Sequence, residues 1–398
     1  MNRRIQLLLA ASLFAASLTT AATPTAEQRQ QLNQAFSAYQ QQDYRRAREL
    51  FLPLAQQGYA TAQHNLGVMY EKGQGVPQNY VQAKYWFEQA AEQGRADSQH
   101  NLGIFYYNGY GVKQDFSRAC NWFGKAATQG NAVAQYNFGV CYEKGQGMPQ
   151  SYVHASEWFG KAAAQGFPDA QFNLGVLYLN GHGVPQDYTR VRYWFEQAAA
   201  QGMAVAQFNL GTFYEKGLGV TQDYVRARHW YEKAAAQGYA AAQVNLGVLY
   251  AKGQGVPQDY ARARYWFEKA AAQELTDAQY NLGFLYYKGH GVPQDYVRAR
   301  HWFEKAAAQG YAAAQNNLGL FYSRGLGVTQ DYVHARHWYE KAAAQGDAVA
   351  QTNLGVLYAL GRGVPQDYAR AHYWFEKAAA QGYSPAQSVL RRLQQEGH

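Results

Sequence analysis

The sequence predicts an all-α fold, a solenoid of stacked helix pairs, and three observations carry that expectation. A phrase of 36 residues recurs along the 398-residue chain, with copies opening at Gly58, Gly94, Gly130, Gly166, Gly202, Gly238, Glu274, Gly310 and Gly346. All nine tryptophans, from Trp86 through Trp230 to Trp374, occupy one place in that phrase. Each copy also contains two apolar patterns of helical period, separated by a glycine-rich break. A fixed period of this length marks a repeat architecture, in which each unit packs on its neighbours around a thin, continuous core.

The clearest copy, Gly238 to Gln273, shows why each element forms. In its first helix Ala242, Leu246, Leu249 and Tyr250 fall on one face. Gly247 lies mid-helix, where glycine costs about 1 kcal/mol relative to alanine. Glycine nevertheless stands there in every copy, as Gly67, Gly103, Gly139, Gly175, Gly211, Gly247, Gly283, Gly319 and Gly355. The expectation is that the missing Cβ admits a partner helix. Gly253 and Gly255 then suit left-handed turn geometry, and Val256 is expected to plug the turn onto the core. Pro257 and Asp259 are placed in the first turn of the second helix, proline for its preset φ and aspartate for the helix dipole. That helix buries Tyr260, Ala263, Phe267, Ala270 and Ala271, with Trp266 at the edge of the arc, facing an adjoining repeat. In most copies a Gln-Gly, as at Gln381–Gly382, closes the second helix.

The two ends depart from the phrase. Residues 1–22 pair Arg3 and Arg4 with the apolar run Ile5–Leu18 and the small residues Thr20, Ala21 and Ala22, the layout of a cleavable secretory signal. The run is too short to span a bilayer well, and no other long apolar run exists. The expected location is therefore export, to the periplasm or the medium, with no transmembrane segment after cleavage. Residues 23–57 read as a shorter capping hairpin, 58–381 as nine repeats, and 382–398 as a capping helix in which Arg391 replaces the mid-helix glycine. The formal charge of +8 admits anionic envelope polymers as partners. Against this, Asp259 with Arg262 and Arg264 with Glu268 have the spacing of pairs that neutralise a solvated helix face. A rhythm of 108 residues, in which Gln146, His182 and Leu218 recur as Gln254, His290 and Leu326, reads as duplication of a three-repeat block.

The pattern Ala242, Leu246-Gly247, Tyr250, Gly253-x-Gly255-Val256, Asp259, Ala263 and Ala270-Ala271 resembles the Sel-1-like repeat, a relative of the tetratricopeptide repeat. The resemblance runs from Gly58 to Leu393, and the N-terminal hairpin resembles a plain tetratricopeptide unit. Departures are few: Glu274 for glycine, Lys113 for proline, Phe138 for leucine, and Ser151 and Asn79 for aspartate. The resemblance implies a right-handed α/α superhelix with first helices lining the concave side. It further implies a non-catalytic scaffold for protein contacts, exported members being tied to envelope signalling, cell-wall processes or host contact.

Binding residues are sought on the second face of the first helices. Asparagine stands there in every copy, as Asn65, Asn101, Asn137, Asn173, Asn209, Asn245, Asn281, Asn317 and Asn353. Two readings stay open: an amide ladder gripping an extended peptide, which the resemblance supports, or bonds to neighbouring helices that set the repeat-to-repeat angle. Tyr136, Phe172, Phe208 and Tyr280 on the same face are candidate contact residues, with packing against the next first helix as the alternative. The expected partner is a protein or extended peptide, bound by a monomer, and no nucleic acid is expected.

No catalytic motif for acyl transfer, zinc hydrolysis or phosphate cradling occurs, and no cofactor or metal is expected. His64 and His100 share a place in adjacent copies, and His334 and His337 share a helix, without further ligands. A cysteine-rich branch of the resembled family is linked with penicillin binding and β-lactam hydrolysis, which leaves a cell-wall enzyme as an alternative class. That branch carries a cysteine pair in nearly every repeat, whereas this chain has only Cys120 and Cys141. These two lie at similar height on antiparallel helices about a turn near Gly130, so a disulfide is expected in an exported protein. The other reading is that Cys141 merely replaces the leucine or phenylalanine of other copies.

Overall fold

A computed structural model describes residues 25–396, which form 21 α-helices with no strand among the described residues. The export segment expected at residues 1–22 lies outside them. The chain divides into two compact units, Met1–Ala206 and Gln207–His398, the boundary falling within the helix Ala204–Lys216. Inside each unit a first helix pairs with the second helix of its own repeat, and that second helix packs on the first helix of the next. None of the described helices is long and apolar enough to cross a membrane.

The repeat that opens at Gly238 shows how sequence sets these elements. Its first helix, Ala240–Lys252, ends on Gly253, which is left-handed with φ 67°. Gly255 is also left-handed at φ 69°, and a Cβ there would lie 2.5 Å from the Tyr224 carbonyl carbon. Glycine is therefore required twice over, by backbone conformation and by the start of the preceding second helix. Val256 packs partly buried against the core, as expected.

The second helix starts later than the sequence reading placed it. It spans Tyr260–Ala271, so Pro257 sits in an extended linker and Asp259 is the N-cap. The Asp259 carboxylate accepts from the Arg262 amide at 2.9 Å, an interaction worth about 1 kcal/mol. Proline holds the residue before it extended. Gln258 fastens the linker, its Nε2 donating to the Ala251 carbonyl at 2.8 Å and to the Tyr260 hydroxyl at 2.9 Å.

The mid-helix glycines admit something more specific than a helix. A Cβ on Gly247 would lie 2.6 Å from the Phe267 ring, which is 2% exposed. The corresponding ring meets the corresponding glycine in every copy, from Gly67 under Phe87 to Gly355 under Phe375. Twice the ring is a tyrosine, and a polar group then appears beside it. Tyr231 shares hydrogen bonds with Thr212, Glu215 and Asn245, and Tyr339 with Ser323 at 3.2 Å. The tryptophans join adjoining repeats as expected: Trp194 packs on a cluster containing Ala162, Ala163 and Leu174. Arg391, at the place of the mid-helix glycine, is exposed.

A buried glutamine in each first helix joins three consecutive helices. Gln243 is 4% exposed; its Nε2 donates to the Ala235 carbonyl at 3.2 Å, and its Oε1 accepts from Gln273 at 3.1 Å. It thus satisfies the carbonyl end of the preceding second helix and receives the glutamine just past the C-cap, Ala272, of the second helix in its own repeat. The same Gln–Gln bond recurs as Gln93 to Gln63 and as Gln381 to Gln351.

Two substitutions should move stability in opposite directions. Gly247→Ala in an exposed helix would gain about 1 kcal/mol, but here its methyl overlaps the Phe267 ring and should lower stability by roughly 1–2 kcal/mol in a urea titration. Glu274 adopts a left-handed φ of 61° where other copies have glycine. Glu274→Gly should raise stability by about 1 kcal/mol. A Gly247→Ala protein as stable as the parent would contradict the ring-contact account.

Candidate functional site

On the first-helix face, most of the asparagines are engaged within the chain. Asn137 Nδ2 lies 3.0 Å from His100 Nε2, and Asn353 Nδ2 donates to Asn316 Oδ1 at 3.1 Å. Asn317 bonds the Tyr280 side chain and Asn101 the His100 side chain. Asn245 donates to the Tyr231 hydroxyl at 3.0 Å, Asn65 to its own helix at the Thr61 carbonyl at 2.7 Å. Asn209 is also partnered, while Asn173 and Asn281 lie half-buried. Bonds from one repeat to the preceding one, as at Asn137, Asn245, Asn317 and Asn353, are what the angle-setting reading requires.

The four aromatic candidates are drawn inward. Phe172 is 5% exposed and stacks on Phe195, ring centroids 5.2 Å apart. Tyr136 packs on Phe159 at 5.6 Å and Phe167 at 5.2 Å; Phe208 on Tyr231 at 5.8 Å and Tyr239 at 5.2 Å. Tyr280 does the same with Phe303 at 5.7 Å and Tyr311 at 5.0 Å. Phe167, Tyr239 and Tyr311 are the N-cap residues of the next first helices. The anchors therefore lean on their own second helix and on the entry to the next repeat, rather than standing out from the face.

Apolar side chains stay open on two first helices: Val349 and Leu360 on Ala348–Leu360, and an aromatic ring on Thr276–Lys288. Phe284 is 36% exposed, and the Lys288 ammonium lies 5.7 Å from its ring and 4.9 Å from that of Tyr287. Asn281 stands one position before Leu282 on this helix, and Tyr287 packs on Phe321 at 5.5 Å. Sequence reading passed over Phe284, although a signal was present. Other copies hold Val68, Ile104, Val140, Val176, Thr212, Val248, Leu320 and Val356 at its place. A single aromatic among aliphatic residues is the signal.

The two cysteines are bonded, Cys120 to Cys141, with Cα atoms 6.1 Å apart. The bond ties the second helix Phe116–Thr128 to the first helix Ala132–Lys144 of the next repeat.

Unusual titrating groups gather in the first helices near the N-terminus. His64 is buried against the Ser98 hydroxyl at 2.8 Å, and burial, reinforced by Arg95, holds its pKa well below the usual histidine range. Burial lowers the His100 pKa to about 4, against an opposing bond from Asn101. Burial raises the Glu71 carboxyl to about 7, with Lys72 opposing. Neutral imidazoles and a protonated carboxyl are thus packing elements here. Among the described residues no group of three or more His, Cys, Asp or Glu is placed to hold a metal ion.

The Sel1 repeat family model matches ten segments: residues 36–59, 60–94, 96–131, 132–167, 168–203, 204–239, 240–275, 276–311, 312–347 and 348–383. The first of these falls on the N-terminal hairpin. Among solved structures, c5321, a protective antigen present in uropathogenic Escherichia coli strains and displaying an SLR fold, is 37% identical over 93% of this chain and 80% of its own, with a TM-score of 0.87. A Sel1 repeat protein from Oxalobacter formigenes is 35% identical over 77% of this chain and 89% of its own, with a TM-score of 0.64. None of the curated proteins matches.

The buried groups give the N-terminal repeats a two-sided pH response. An unfolded histidine binds a proton below its ordinary pKa, while folded His64 and His100 resist it, so their contribution falls as pH drops from 6.5 towards 4. Glu71 works the other way, because the folded chain keeps a proton up to about pH 7 that the unfolded chain loses above 4.5. Each of the His100 and Glu71 effects is on the order of 3 kcal/mol. Glu71→Ala, the residue found at Ala251, should leave stability rising with pH between 4 and 6.5, read as amide exchange in Ala60–Lys72. His100→Tyr, as at Tyr136, should weaken that rise. Unchanged profiles in both variants would rule burial out as the cause.

Proposed function

The chain belongs to the Sel1 repeat family, and we propose that it is a non-catalytic scaffold that binds a protein or an extended peptide on its first-helix face. The family's repeats generally serve protein interaction, and nothing in the described part of the chain needs a reaction to explain its chemistry. The observation that carries the reading is the exposed ring of Phe284 beside Lys288, on a face where most asparagines are held by internal bonds. An aromatic ring with an adjacent cation is a characteristic interface anchor. A pre-ordered surface loses little entropy on binding.

In this reading the protein works as an exported monomer, in the periplasm or the medium. The secretory layout of residues 1–22 supports export, as does a disulfide in a chain with only two cysteines. The likeness to c5321, a protective antigen of uropathogenic strains, favours contact with a host among the settings open to such a scaffold. The cell-wall-enzyme alternative rests on a single cysteine bridge. Binding of anionic polymers by the general basic balance is weakened by the ion pairs Arg262–Asp259 at 3.3 Å and Arg264–Glu268 at 3.5 Å, which neutralise the outer helices.

Crosslinking in native periplasm and medium, followed by recovery of the tagged chain, tests the proposal. Wild type should capture a defined protein partner, and a Phe284→Ala/Asn281→Ala variant should recover at least tenfold less of it at unchanged thermal stability. Equal recovery by the two proteins would remove the first-helix face from the account.

A further inference from the structure

The outer surface of the second helices carries a second feature, confined to one repeat. In most copies its exposed positions hold large side chains. At the place of Ser117 stand Val81, Val153, Thr189, Val225, Ala261, Val297, Val333 and Ala369. At the place of Asn121 stand Tyr85, Glu157, Tyr193, His229, Tyr265, His301, His337 and Tyr373. Where that residue is tyrosine, its ring covers the edge of the adjacent tryptophan, as Tyr85 does on Trp86 at 4.9 Å and Tyr193 on Trp194 at 4.8 Å. Asn121 is too small to do this, and a cavity of about 340 Å³ opens between Tyr106, Ser117, Arg118, Asn121 and Trp122.

The charge around this cavity is less balanced than on most second helices. Most second helices balance a basic residue with a glutamate one turn on, as Arg264 with Glu268, but here those places hold Cys120 and Gly124, as they hold Ser156 and Gly160 in the next repeat. Arg118 pairs through its Nε with Asp115 at 3.4 Å, and its guanidinium carbon lies 5.6 Å from the Tyr106 ring centre, as Arg262 stands to Asp259 and Tyr250. Lys125 lies 4.1 Å from the Trp122 ring centre and enters no ion pair among the described residues. The lining therefore combines an arginine, two aromatic rings, and a hydroxyl and an amide that both donate and accept, with Lys125 standing over the Trp122 ring.

We propose that this cavity binds a carboxylated sugar unit of an acidic glycan. An aromatic wall takes the apolar face of a pyranose ring, and Ser117 and Asn121 suit its hydroxyls. Arg118 and Lys125 suit its carboxylate, by charge-assisted bonds that neutral sugars do not offer. The size falls at the small end of ligand pockets, right for one or two sugar rings. The site stands on the second helices and is independent of the peptide-binding reading of the first-helix face.

Calorimetric titration of the full chain tests it with three probes: N-acetylglucosaminyl-N-acetylmuramic acid, a wall sugar bearing a carboxylate; 3′-sialyllactose, a cell-surface sugar bearing one; and neutral maltotriose. One or both acidic probes should bind, with affinity falling as salt rises, and the tighter one identifies the source. Ser117→Val/Asn121→Tyr installs residues that other copies already carry, so it should fold normally yet weaken binding at least tenfold. Arg118→Gln/Lys125→Gln should weaken the acidic probes alone. Failure of both acidic probes to bind overturns the proposal, as does equal binding by maltotriose or undiminished binding to the filled-cavity variant.

Discussion

The contact on which the rest of each repeat depends is a ring lying where a Cβ is missing. Phe267 against Gly247 sets how closely the two helices of a repeat approach, and no other residue type leaves room for it. The glycine lowers helix propensity, and a buried ring in close packing more than offsets that loss. With that distance set, Ala270 and Ala271 can bury against the following first helix, and the glutamine bridge can span three helices at hydrogen-bond length. A tyrosine in the ring position survives only because its hydroxyl is given partners, as Tyr231 shows.

Such a frame absorbs most of its own chemistry. Aromatic side chains on the first-helix face fold back onto the ring and onto the next helix entry, and asparagines bond across repeats. Function is therefore sought where a copy breaks the frame's habits. Phe284 is an aromatic residue at a place where no other copy has one, and Asn121 is a small residue at a place that mostly holds tyrosine or histidine. One break adds surface and the other removes it.

Much of the fold was legible in the residues, because its signals are local. The two helices, the left-handed glycines, the turn plug at Val256 and the bonding of Cys120 to Cys141 follow from spacing, capping and chain reversal. The error over Pro257 was also local: proline suits a first turn, but Asp259 is the stronger cap and wins the boundary. The site was legible only in part. Asparagine attracted attention as a poor helix former, while the glutamine beside each buried alanine passed as an ordinary helix residue, yet Gln243 is the one that bridges helices.

By itself the sequence determined the period, the helix pair and the positions where glycine is obligatory, since these depend on side chains within a turn or two of each other. The tertiary structure alone decided which polar ladder is buried and which aromatic rings remain exposed. Those outcomes rest on partners 30 residues away for Gln243 and 37 for Asn137. Burial of a group depends on what covers it, and the cover comes from the next repeat rather than from the group's own helix.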